Sequence, residues 1–344
     1  MWKETTRITR NKKIFEEEFE EFLPSKILDF HVHISPVDAL ISNVHPVNAG
    51  GHSLSSYTIN ELETDMLDLY PRRESFAVCF GWCSRELDLA KNNRYVATSC
   101  DKERFFPVRM IMPEEDPEVV ERDTVTQGFL GFKPYLTFVQ KPKEEITVRD
   151  MIPDSFMEIA NRQGLFVVLH IPRKQRLADL ENRKQVLWIC ENYPSAKIIL
   201  AHVGRAYFMK NIVGNLEPFI DIPNLYFDLA MVSNWEVLEY LFSRASLERI
   251  LYATDIPISL AAGASIEVNH QYSYLTPVPW DLSICDSDPR LVYTSFAYEE
   301  IRAIKKAVQR IGLGRRFVED LFYHNGNRLL QKPRTRKISD EKSQ

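Results

Sequence analysis

Two histidines two residues apart, His31 and His33, stand in the run ILDFHVH. Three further apolar runs end on a residue able to bind a cation: LFVVLH on His170, KIILAH on His202 and ILYATD on Asp255. Four of the chain's eight histidines therefore close strand-like segments, and only His45, His52, His270 and His324 lie elsewhere. Side chains two apart on a strand share a face, so Asp29, His31 and His33 are expected to point into one interior. Imidazoles and a carboxylate converging in apolar surroundings are costly without a partner, and one divalent cation satisfies them together. The chemistry this predicts is metal-dependent.

Such residues need a scaffold that brings strand ends together. Eight short apolar runs recur, at 27–31, 76–80, 105–110, 129–133, 165–170, 197–202, 225–228 and 249–254. Most are rich in Val, Ile, Leu, Phe and Tyr without strict alternation, as parallel strands covered on both faces are. Segments of helical periodicity separate them, and eight such alternations predict an α/β fold of the (β/α)8 TIM-barrel kind. Ser155 with Glu158, and Ser233 with Glu236, have the spacing of capping boxes, and Gly164 ends the first of these helices. Ile301, Ile304, Val308 and Ile311 mark the apolar face of a last helix, closed by Gly312 and Gly314.

The barrel is expected over 26–331. Residues 1–25 read as an N-terminal helical extension whose Ile14, Phe15, Phe19, Phe22 and Leu23 would dock on the barrel's outside. A long loop follows the first strand at 34–59. A longer one, inserted at 256–297 after the eighth, carries Tyr272, Tyr274, Trp280 and Tyr293. Both should sit over the C-terminal mouth, where barrel chemistry occurs, the second as its cover. An oligomer contact or surface decoration is the plainer use for them. Residues 332–344 are expected to be a disordered tail.

Composition narrows the partners. Hydrophobic content of 44% and charge of 26% are those of an ordinary globular chain. A net charge of −5 without a basic stripe leaves no electrostatic footprint for nucleic acid or an acidic membrane. No run of ~18 apolar residues suits a membrane helix, and MWKETTRITRNKK lacks the apolar core of a secretory signal. The cysteines, Cys79, Cys83, Cys100, Cys190 and Cys285, are odd in number and scattered, which predicts reduced thiols in a cytoplasmic protein. The expected partner is a small-molecule substrate, with neither nucleic acid nor membrane, and with room for a homo-oligomer.

The order HxH on strand one, His on strands five and six and Asp on strand eight resembles the amidohydrolase superfamily. More narrowly, it resembles the amidohydrolase-related (amidohydrolase-2) family, which includes decarboxylases and lactonases. The C-terminal YHNGNRLL, with Gly326, Asn327 and 328–330, is similar to that branch's closing helix motif, and the likeness runs over about 26–331.

This resemblance implies that His31, His33 and His170 are metal ligands, with Asp255 a fourth ligand or the proton acceptor. It implies one divalent ion, zinc foremost, although imidazole and carboxylate also accept Mn, Fe or Co. His202 would act on the substrate, and Asp29 would orient a histidine ligand by accepting its other ring proton. Lys133, in LGFKPY, matches a lysine that bridges two metals in binuclear members and contacts substrate in hydrolase-like ones; a surface lysine with a buried stem is the plainer reading. Arg205 stands just after Val203 and Gly204, where members often carry a second glycine. It could grip a substrate carboxylate or pair with an acid such as Asp228.

The implied activity is a metal-dependent hydrolase acting on a small lactone, cyclic amide or ester by metal-activated water. Asp255 would carry the proton and His202 would polarise the carbonyl. The same residues could serve non-oxidative decarboxylation of an aromatic or unsaturated acid. A third reading, a ligand-binding barrel without turnover, fits poorly with an intact set of ligands.

Overall fold

The computed structural model describes residues 5–41 and 47–331. The tail at 332–344 and His45 lie outside the described residues.

The eight predicted runs become eight parallel strands. They are β1 (Lys26–His33), β2 (Glu74–Phe80), β3 (Phe105–Pro107 and Arg109–Ile111), β4 (Gly131–Pro134), β5 (Phe166–Leu169), β6 (Lys197–Leu200), β7 (Leu225–Asp228) and β8 (Ile250–Leu251). Each pairs with its sequence neighbour, and β3 is parted at Val108, whose N–H donates to Cys79 O at 2.9 Å. The first strand meets the last. Phe30 N–H donates to Tyr252 O (2.9 Å), Asp255 N–H to His31 O (2.9 Å) and His33 N–H to Ile256 O (2.8 Å). A parallel bridge between Val32 and Ile256 continues that seam, which is the (β/α)8 arrangement.

Two apolar layers follow from this closure. Leu28, Phe30, Val78, Phe80, Val168, Ile199 and Leu251 fill the barrel, while a larger layer lies between the strands and their helices. The covering helices include Ile59–Leu69, Leu89–Ser99, Pro117–Gln127, Leu180–Asn192 and Phe296–Ile311, whereas β6 is followed only by short helical pieces, His202–Arg205, Met209–Ile212 and Glu217–Phe219. The helix Phe296–Ile311 ends at Gly312 in the left-handed conformation, as expected. The two capping boxes do not form. Asp154–Gln163 starts behind Pro153, which takes the cap position with extended ψ and leaves Ser155 inside the first turn. Trp235–Arg244 is capped by Asn234, at least as good a cap as serine, with its side chain accepting from Glu236 N–H.

In the N-terminal segment Phe15, Phe19 and Leu23 are fully buried, and Phe19 lies edge-on to Tyr298 at 5.1 Å. At the other end of the chain, Asn325 donates to Leu247 O and Ile250 O, both at 2.8 Å. Gly326 is there because a Cβ would lie 2.8 Å from Leu28 Cδ2 and 3.0 Å from Phe30 Cδ2. The stretch 256–297 is more regular than a loop. It holds β9 (Ala264–Val268), β10 (Gln271–Thr276) and β11 (Ser283–Cys285), the first two antiparallel and the last two parallel. Among the described residues, no helix is long and apolar enough to cross a membrane.

Candidate metal centre

The strand ends converge as their spacing requires. His31 and His33 close β1, His170 directly follows β5, His202 lies just beyond β6 and Asp255 beyond β8. His31, His33 and Asp255 offer ligand atoms that all lie within 4.8 Å of one another. Asp255 Oδ1 is 3.2 Å from His33 Nε2 and 3.7 Å from His31 Nε2, and Oδ2 is 4.0 Å from His202 Nε2.

The opposite ring nitrogens settle the tautomers. His33 Nδ1 lies 2.7 Å from Gly81 O and His202 Nδ1 lies 2.8 Å from Ala230 O. A carbonyl only accepts, so both Nδ1 atoms carry hydrogen, and either ring in its neutral form presents a bare Nε2. His31 Nδ1 is 2.9 Å from Asp228 Oδ2, which has the same effect on its Nε2. Burial holds the pKa of His31 well below the usual histidine value, with nearby Lys133 adding to it. Burial likewise lowers that of His202, partly offset by Asp255. Burial pushes the Asp255 carboxyl up, and His31, His33 and His202 pull it further down to the extent that their rings carry charge. Acceptors therefore face acceptors. Oδ1 of Asp255 is buried without a directed hydrogen bond, and a divalent cation is what such a donor set fits.

His170 stands slightly apart. Its ring lies 4.7 Å from that of Tyr135 and 5.3 Å from that of His202, and it does not belong to the 4.8 Å set. Its Nδ1 is nevertheless buried without a hydrogen-bond partner. His202 instead groups with His31 and Asp228. Both Asp228 oxygens are already engaged there, Oδ2 by His31 and Oδ1 by the backbone N–H groups of His202 (2.7 Å) and Ala230 (3.3 Å). That trio is hydrogen-bonded positioning.

One expectation is corrected and two alternatives are set aside. Asp29 does not meet a histidine ring: it accepts from the backbone N–H of His31 (3.1 Å) and of Thr254 (3.0 Å), and from the Thr254 hydroxyl. The register of β1 against β2 shifts between Asp29 and Val32, so the simple alternation that put Asp29 beside His31 breaks there. Asp29 keeps the parity of Ile27, in the outer layer, while Leu28 and Phe30 face inward. Asp228, not Asp29, holds the ring. Arg205 does not pair with Asp228 either: its guanidinium donates to the carbonyls of Ile171 (3.2 Å) and Arg173 (3.3 Å). Lys133 is no surface lysine. It is wholly buried, with Nζ 3.4 Å from His31 Nε2 and 4.7 Å from the centre of the Phe80 ring, and burial lowers its pKa.

His202 owes its place to an unusual backbone. His202, Val203, Gly204 and Arg205 have φ of 56°, 54°, 64° and 62°, a left-handed turn that is costly for any residue with a Cβ. The Asp228 bond to His202 N–H helps to hold it.

Two cavities meet at this cluster, both lined by Tyr135, His202, Asp255 and Ile258. The smaller, about 200 Å³, adds His31, His33, Asn48, Trp82 and Cys83. The larger, about 660 Å³, adds His170, Arg176, Arg205 and Tyr207 from the barrel, and Tyr272, Tyr274 and Trp280 from the 256–297 stretch. Tyr293 is not among the residues that line either. The sequence reading missed Asp228 as the partner of His31, and missed Trp82 and Arg176 altogether. A signal existed for Asp228, since it closes the apolar run LYFD much as Asp255 closes ILYATD.

The family model described as Amidohydrolase (Amidohydro_2) matches residues 29–272. The chain belongs to this family, whose members are enzymes and typically metal-dependent. No curated protein matches the sequence. Solved structures share the fold at low identity. One is amidohydrolase 2 from Bifidobacterium longum subsp. infantis (TM-score 0.53, 14% identity, 89% of this chain and 99% of that one). A second is a probable 2-pyrone-4,6-dicarboxylic acid hydrolase from Acinetobacter baumannii with citric acid bound (0.55, 15%, 88% and 98%). A third is 5-carboxyvanillate decarboxylase from Sphingomonas paucimobilis (0.52, 14%, 89% and 99%).

Proposed function

We propose that this chain is a metal-dependent hydrolase of a small lactone, cyclic amide or ester. The observation that carries the reading is the ring of acceptors at the barrel mouth. Asp255 faces the Nε2 atoms of His31, His33 and His202, two of which are fixed in the bare form by backbone carbonyls. His31, His33 and Asp255 would hold the ion, with His170 completing the set. When bound, a divalent ion such as Zn²⁺ supplies Lewis-acid polarisation and a more acidic water.

The protein's own groups do the rest. Asp255 accepts a proton from the attacking water and returns it to the leaving oxygen or nitrogen. His202, its Nδ1–H tied to Ala230 O, keeps Nε2 free to exchange a proton with the substrate. Lys133 offers a buried donor beside His31 for a substrate oxygen. Arg205 offers a guanidinium bonded to backbone carbonyls rather than to a carboxylate. The stretch 256–297 covers the site through Tyr272, Tyr274 and Trp280.

Decarboxylation of an aromatic acid is the second reading, favoured by the stacked aromatic residues in the larger cavity and by a decarboxylase among the proteins of like fold. One paired screen separates the two. Lactones and cyclic amides are assayed for ring opening, and aromatic acids for released CO2. Ring opening without CO2 supports hydrolysis; CO2 release alone overturns it.

A further inference from the structure

The larger cavity carries more positive charge than the metal cluster accounts for. Lys143, Arg173, Lys174, Arg176 and Arg205 line it, against the carboxylates of Glu144 and Asp255. Most of these cations have another explanation. Lys143 and Lys174 are exposed, Arg173 lies 3.0 Å from Asp179, and Arg205 is engaged by two carbonyls. Arg176 is different. Its guanidinium lies over the rings of Tyr207 (5.0 Å), Tyr272 (5.6 Å) and Phe208 (5.8 Å), and no carboxylate among the described residues pairs with it. Its Nη1 is buried without a hydrogen-bond partner. A half-buried guanidinium group with one nitrogen shut off from water and unpaired is costly, and an anion supplied from outside removes that cost.

The surrounding rings say what shape carries the anion. Tyr207 and Tyr272 stack at 4.7 Å and 14°, and Tyr274 and Trp280 stack at 5.0 Å and 17°. Tyr207 also lies 5.9 Å from the His202 ring. Arg176 is thus joined to the reacting end of the site through one aromatic residue. A cavity of about 660 Å³ lies within the ~300–1,000 Å³ that drug-sized ligands occupy, more than a single small ring requires.

We propose that Arg176, Tyr207 and Tyr272 form a subsite for the anionic end, carboxylate or phosphate, of an extended planar substrate whose reacting group lies at His202 and Asp255. That the occupant is a substrate rests on the hydrolase reading; that the subsite binds such an anion does not. Planar guanidinium recognises either anion with paired donors, and the stacked tyrosines favour a flat body beside it.

Calorimetric titration of the full-length chain with 2-naphthoate, 2-naphthyl phosphate and neutral 2-naphthamide tests this directly. At least one anion should bind about tenfold or more tightly than the amide, as a charge-assisted contact requires. The tighter anion identifies the terminal group. Arg176→Gln should bring anion and amide within about twofold while leaving amide affinity unchanged, and Arg176→Lys should retain part of the preference. Any attraction to a bound metal is common to wild type and variants, so only the dependence on Arg176 counts. Equal affinities in the wild type, or a preference that survives Arg176→Gln in a folded variant, would overturn the subsite. A preference intact in a chain that opens no lactone would leave the subsite standing and remove the hydrolase reading.

Discussion

The Asp228 carboxylate lies 2.9 Å from Nδ1 of His31, and both groups are buried. Its other oxygen accepts the backbone N–H of His202 at 2.7 Å, so one side chain from β7 steadies a candidate ligand from β1 and the turn after β6. Asp228→Asn would place an amide against Nδ1. Where its NH2 faces the ring, the proton moves to Nε2 and the lone pair aimed at Asp255 is lost. Metal affinity should fall about 10–100-fold, the usual cost of losing such a partner. Asp29→Asn should change it by less than about twofold, since Asp29 bonds Thr254 and a backbone N–H instead. Chelator competition measures both variants, and an effect confined to Asp29→Asn would reverse the assignment.

Asp228 closes an apolar run as Asp255 does, but that it partners His31 is hidden by distance along the chain. Residues that end apolar runs announce themselves locally, because a parallel barrel brings every strand's C-terminal end to one mouth. The pairing of His31 with Asp228 spans 197 positions and depends on barrel closure, which no local pattern encodes. Asp29 misled for a related reason: alternation assumes an unbroken pleat, and the register of β1 shifts immediately after it. Arg176 lies in a short 3-10 turn, Arg176–Ala178, and its relevance comes from Tyr207 and from Tyr272, which the 256–297 stretch brings back over the mouth.

Docking of the N-terminal segment should depend on pH. Arg302 donates to both oxygens of Glu18, at 2.7 and 2.6 Å, and that bond holds the Glu18 carboxyl below its ordinary value of 4.5. A depressed folded-state pKa means stability that is present above the unfolded value and lost as pH falls through the folded one. The pair is about one-third exposed, so the effect is modest. Glu18→Gln should lower Tm by about 1–3 °C at pH 7. The gap from wild type should close below pH ~4. A gap that stays constant from pH 7 to pH 3 would mean that the ionised pair contributes nothing.

The stack of Tyr207 on Tyr272 should hold the three-stranded insertion against the barrel. Such a pair contributes about 0.5–1.5 kcal/mol beyond the area it buries. Tyr272→Ala should speed proteolytic cutting within 264–285 several-fold, with the barrel fragment left intact. An unchanged cutting rate would show that Tyr274, edge-on to Phe296 at 5.2 Å, is enough to anchor the segment.

The decisive test compares the two histidines whose places differ most from the sequence reading. Elemental analysis should find about one divalent ion per chain, lost in His31→Asn and His33→Asn, because both lie with Asp255 in the 4.8 Å set. Asp255→Asn should cut turnover about 10²–10⁴-fold, since an amide cannot accept and return a proton. Its metal content should fall less than that of His31→Asn, because three histidines remain. His202→Asn should keep the ion and lose kcat, the signature of a contact made in the transition state. His170→Asn should lose the ion, because the unpartnered Nδ1 shows that this ring has no internal hydrogen bond to give it another purpose. The geometry also allows the converse, since His202 Nε2 lies 4.0 Å from Asp255 while His170 stands outside the tight set. If His202→Asn strips the ion and His170→Asn keeps it, the residues following β5 and β6 exchange roles. His170, beside Tyr135, then becomes the group that meets the substrate.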